Sequence, residues 1–154
     1  MGNRFDDDLD FKTTSFREHP DLYRVGRGEQ GVLLVEPYKP EILALWRFRT
    51  PQIALATADA IWHTFEEYCD AADFVGMDMT RKFLQMGFMR SRRYSNHRSG
   101  QKYDKETGQV LPQDPDSETS ERAASARIFK QMLDRANADP AYTYALASHR
   151  ERFG

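Results

Sequence analysis

Residues 51 to 70 carry the clearest period in the chain. At about 100° per residue, Ile53, Ala54, Ala58, Ile61, Trp62, Phe65, Tyr68 and Cys69 fall on one face, and Asp59, His63, Glu66, Glu67 and Asp70 on the other. Thr50 supplies a capping hydroxyl and Pro51 a proline at the first helical position, so the pattern predicts an amphipathic, half-buried helix from Pro51 to Asp70. Asp73 caps a second helix, with Met79, Phe83, Leu84 and Met86 inward and Asp78, Arg81, Lys82, Gln85 and Arg92 along a cationic outer edge. Gly87 either breaks that helix or admits a close neighbour; in an unbroken helix Arg90 projects into the apolar sector. A third helix starts near Ser117 or Thr119, sets Ala124, Ile128, Phe129, Met132, Leu133 and Ala136 on one face, and is interrupted at Asp139-Pro140.

Elsewhere the period changes. Gly26, Gly28 and Gly31 precede the run Val32-Leu33-Leu34-Val35, which Pro37 closes: a glycine turn feeding a buried strand. Residues 99 to 117 are turn-rich, and a short hairpin is expected around Lys105 to Gly108. Residues 1 to 20 lack a period and end in His19-Pro20, the pattern of an extended acidic arm, while residues 139 to 154 read as a tail or short helix. The expected architecture is a single α+β domain over residues 21 to 138, with three principal helices packed on a small sheet or β-hairpin.

Length supports that picture: a chain of 154 residues is a common single-domain size and buries roughly 68 to 70% of its unfolded surface. One cysteine, Cys69, excludes an internal disulfide and a Cys-Cys metal site, so a reducing, cytoplasmic setting is expected. No apolar run approaches the roughly 20 residues that span a bilayer, the N-terminus has no apolar signal core, and Asp6 stands where a myristoylation signal wants Ser or Thr. No membrane association is expected. The formal net charge of -2 hides a segregation: Met79 to Tyr103 holds seven Lys or Arg and no acid, whereas residues 6 to 10 read DDDLD.

Candidate chemistry follows from that segregation. Gly26-x-Gly28-x-x-Gly31 matches a dinucleotide fingerprint in letters, but the motif works by opening a helix, and here a strand is expected next. A kinase-type glycine loop fits no better, because the chain has no catalytic HRD or DFG sequence. What survives is generic: backbone amides at the glycines, flanked by Arg24 and Arg27, suit an anion, and the plainer reading is a tight turn. Asp59, His63 and Glu67 share a helical stripe, yet they spread over about 12 Å, so a solvated face is favoured over a metal site. Cys69 lies on an apolar face and no nucleophile elbow exists, so neither nucleophilic catalysis nor any cofactor is indicated. His97 is a candidate acid or base without an identified partner.

The segment at 81 to 100 interleaves arginines with Phe88, Tyr94 and His97, a mixture that pairs phosphate contacts with base stacking. Small anions and internal salt bridges with the acidic face of the preceding helix are the alternatives.

The strings RVGRGEQGVLLVEPYK (24 to 39), WRFRTP (46 to 51) and VGMDMTRKFLQMGFMRSRRYSNH (75 to 97) resemble a family known as domain of unknown function 4385, over most of residues 5 to 135. The resemblance implies a small accessory protein of bacterial or phage-associated type and brings no catalytic residue or cofactor with it.

Three functional readings compete. The first is nucleic-acid or polyanion binding, with Arg81, Lys82, Arg90, Arg92 and Arg93 on phosphates and Tyr94 as a stacking platform. The second is an enzyme on a small phosphorylated or carboxylated substrate, with Arg24, Arg27 and Arg90 holding the anion and Glu29 or His97 moving a proton. The third is a protein partner docked on an apolar patch rimmed by arginines.

Overall fold

The computed structural model describes residues 10–26, 32–43, 50–97 and 101–154. Five helices are found there: α1 (Tyr38–Leu43), α2 (Pro51–Asp70), α3 (Phe74–Asn96), α4 (Glu121–Ala138) and α5 (Pro140–Phe153), with a 3-10 turn at Pro20–Leu22 before them. The fold class is therefore all-helical among the described residues, which corrects the expected α+β arrangement.

The apolar run at 32 to 35 shows why. Val32 and Val35 are buried at 5% and 0% exposure, while Leu33 and Leu34 stand out at 39% and 48%. Inward positions three apart are the spacing of a turn, whereas a strand alternates every second residue. Val35 instead leads into α1, its carbonyl accepting from the Lys39 amide at 3.3 Å. The hairpin expected at Lys105 to Gly108 is likewise no sheet. Its chain reverses on the Asp104 carboxylate, which takes the Glu106 and Thr107 amides, and on Gly108 at φ +71, but pairing stops at an isolated bridge between Tyr103 and Val110.

The long helices start where side chains supply the missing acceptors. The Thr50 hydroxyl takes the Ile53 amide at 3.2 Å and the Asp73 carboxylate takes the Gly76 amide at 3.1 Å. Ser120 caps α4, and Asp139 both ends α4 and caps α5, so the region read as a tail or short helix is a capped helix of 14 residues.

α3 is the central element, packed most extensively on α4 and then on α2, with α1 and α5 against it as well. Along α2, Ala54, Ala58, Ile61, Trp62, Phe65 and Tyr68 are buried as expected, with Trp62 stacked on Phe65 at 4.9 Å; Ile53 is exposed. Gly87 does not break α3: a Cβ there would lie 2.7 Å from the Phe129 ring of α4, so the glycine admits that ring. Beyond it the buried seam of α3 runs through Ser91 and Ser95, with the Ser95 hydroxyl bonding the Ser117 carbonyl and lying 3.4 Å from the Ser120 hydroxyl that caps α4. The apolar sector of the first turns does not continue, which is why Arg90 is exposed rather than inward.

The described part of the N-terminal segment packs instead of standing off as an arm. Phe16 is fully buried, its amide bonds the Glu36 carbonyl at 3.0 Å, and the Arg17 guanidinium grips Glu41 at 2.7 Å and Asp73 at 3.4 Å.

Candidate functional site

The arginine-rich stretch divides into two parts with different fates. In the first half of α3 every residue from Phe74 to Leu84 is buried, Asp78, Arg81 and Lys82 included, so the edge expected to face solvent is enclosed. Asp78 organises it. Its carboxylate accepts from Arg81 Nε at 2.8 Å, from the Tyr142 hydroxyl at 2.7 Å and from the Tyr23 hydroxyl, with Lys82 Nζ 3.9 Å away. Arg81 also lies over the Tyr142 ring, and Lys82 over the Tyr23 ring.

The electrostatics follow from this enclosure. Burial pushes the Asp78 carboxyl up, but the charges of Arg81 and Lys82 and the bonds from Tyr23 and Arg81 outweigh it and hold the group below its ordinary range. Burial likewise opposes the Lys82 charge, and despite Asp78 its amine is pushed down to about 8. Tyr23 and Tyr142 are raised by burial first and by the Asp78 charge second, so both stay protonated donors. Next to them His149 of α5, packed on the Phe74 ring at 4.8 Å, donates from Nε2 to the Tyr23 carbonyl at 2.7 Å, and burial lowers its pKa. Sequence reasoning missed this cluster because its members come from the N-terminal segment, α3 and α5, with only the Asp78-Arg81-Lys82 spacing visible beforehand.

The second half of α3 is open on one side. Arg90, Arg93 and Tyr94 are exposed, and among the described residues no ion pair or hydrogen bond holds either arginine side chain. Arg92 is committed elsewhere: its Nη2 donates to Glu118 at 2.6 Å, the Ser117 carbonyl at 3.0 Å and Asn96 at 3.0 Å, pinning the loop before α4. Tyr94 is 40% exposed and carries the Arg122 guanidinium of α4 over its ring at 5.3 Å, a partner the sequence did not point to. His97 caps the end of α3 and is buried.

The other candidates lie apart. Arg24 follows Tyr23 and bonds the Asp21 and Tyr23 carbonyls, at the Asp78 end of α3, whereas Arg93 lies roughly 22 Å along that helix from Asp78 at about 1.5 Å per residue. Arg27 and Glu29, with Gly28 and Gly31, lie outside the described residues. Asp59, His63 and Glu67 are exposed along α2, and His63 Nδ1 sits 3.4 Å from Glu66. Cys69 is half-buried, and burial together with Asp139, Asp70 and Glu66 pushes its thiol up to about 11, away from nucleophilic use.

Fold and surface together define a protein that is all-helical among the described residues and built on a buried charged cluster, with a basic, aromatic-bearing helix end facing outward. No helix among the described residues is long and apolar enough to cross a membrane. The chain belongs to the family described as a domain of unknown function (DUF4385), whose model matches residues 6–152, nearly its whole length. No curated protein and no solved structure matches it.

Proposed function

We propose that the protein binds a polyanion, of the nucleic-acid type, on the exposed end of α3. One observation carries this reading: Arg90 and Arg93 project into solvent beside a half-exposed tyrosine, and no acid among the described residues neutralises them. An isolated positive pair on a protein of net charge -2 attracts phosphates locally, and contact releases counterions from them. Arg81, Lys82 and Arg92 serve the fold in this reading, through Asp78 and Glu118.

Affinity for nucleic acid then falls with salt. Replacing Arg90 and Arg93 together by Ala flattens the slope of log affinity against log salt by about 1.4 to 1.8, at roughly 0.7 to 0.9 per phosphate contact, and Arg92→Ala leaves that slope unchanged. A wild-type protein that retains neither single-stranded nor duplex nucleic acid at low salt and micromolar concentration sinks the proposal.

A further inference from the structure

We infer that the ligand of this surface is single-stranded, its base stacked on Tyr94, and that Arg122 of α4 is a site residue that holds the ring for stacking. The inference rests on the polyanion reading above and adds the strand type and a residue outside the arginine-rich run. A flat ring in solvent on a mobile side chain stacks poorly because it must first be ordered. Here the ring has a partner to hold it: Arg122 lies over one face at 5.3 Å, and Tyr94 still keeps 40% of its surface in solvent. A base laid on the remaining face completes a cation, ring and base stack, in which the guanidinium also adds charge toward the phosphates.

The arginine positions fit a backbone running past such a base. Tyr94 follows Arg93 directly, and Arg90 is one helical turn before Tyr94, so Arg90 and Tyr94 lie on adjacent parts of one helix surface. Duplex DNA buries the faces of its bases in its own stack, and an exposed tyrosine on a convex helix gains nothing from it. Phosphate contact from the arginines is common to both ligands; stacking belongs to the single strand alone.

The test is fluorescence anisotropy of labelled oligothymidylate and of a duplex of equal length, each titrated with the full chain at one low salt concentration. The wild type binds the single strand more tightly. Tyr94→Ala weakens single-strand binding by about 5- to 150-fold and leaves duplex affinity within about two-fold, whereas Tyr94→Phe keeps single-strand affinity. Arg122→Gln lowers single-strand affinity more than duplex affinity. Equal affinity for both ligands, or a Tyr94→Ala variant that loses both in proportion, overturns the single-strand inference while polyanion binding stands. Absence of binding to either ligand overturns both.

Discussion

The Tyr142 hydroxyl of α5 donates to the Asp78 carboxylate of α3 at 2.7 Å, inside the protein. That bond fastens the last helix to the central one and completes the coordination of a carboxylate that already holds Arg81 and the Tyr23 hydroxyl. Tyr142→Phe keeps the ring and removes one donor to a charged acceptor, so chemical denaturation should register a loss of about 1.5 to 3 kcal/mol.

Substitutions within the charged trio should differ in size. Asp78→Ala leaves Arg81 and Lys82 enclosed without their counter-charge and should cost about 3 to 5 kcal/mol. Lys82→Met removes the second cation but keeps the Asp78–Arg81 pair, and should cost less than Asp78→Ala by urea denaturation. Equal damage from both would show that Lys82 is a required partner of the carboxylate.

Lys82 also sets a pH dependence. Its amine is held at about 8 in the fold against an ordinary value of 10.5, so between these values the unfolded chain binds the extra proton and folding gains stability as pH rises. Tyr23 and Tyr142 act the other way above their ordinary value of 10.0, because their raised folded values let the unfolded chain ionise first. The melting temperature should therefore climb from about pH 8 to about pH 10 and fall beyond, and Lys82→Met should flatten the climb.

His149 adds a slope of the same sign as that of Lys82 on the acid side. Its pKa is lowered in the fold, so the unfolded chain takes up the proton first as pH falls through about 6.5, and stability declines there. His149→Phe should remove that acid-side slope in a melting series, whatever its effect on absolute stability.

Glycines in α3 are occupied by their neighbours. A Cβ at Gly76 would sit 2.5 Å from the Tyr68 ring, and one at Gly87 would sit 2.7 Å from Phe129. Helix propensity alone favours alanine by about 1 kcal/mol, but overpacking costs about 1 to 3, so Gly87→Ala should be net destabilising or at best neutral. Phe129→Leu in the same chain should recover part of any loss, as a double-mutant cycle would measure. By contrast Phe65→Ala, at a fully buried ring, should cost about 3 to 5 kcal/mol.

The parts of the fold governed by local rules were legible in the sequence. Thr50-Pro51 marks the start of α2 and Asp73 that of α3, because an N-cap is satisfied by residues within one turn. The parts decided by long-range contact were not. Val32 to Val35 looks like a strand until the turn leading into α1 shows which two valines go inward. Asp78, Arg81 and Lys82 look like a solvated edge, because the tyrosines that cover them come from the N-terminal segment and α5. Arg90 looked inward because Ser91 and Ser95 count as polar in any hydropathy pattern, although both are buried and Ser95 bonds the Ser117 carbonyl just before α4. At the candidate surface the cations could be named from the sequence; which of them the acids Asp78 and Glu118 withdraw from solvent could not.

Tyr23 and Tyr142 reach the same carboxylate from 55 and 64 positions away along the chain. A nascent polypeptide that has emerged only as far as α4 holds Asp78 with one of its two hydroxyl donors missing and Arg81 without the ring it lies over. Closure between such distant partners also gives this helical protein a larger topological burden than a simple bundle, where neighbours in sequence meet first.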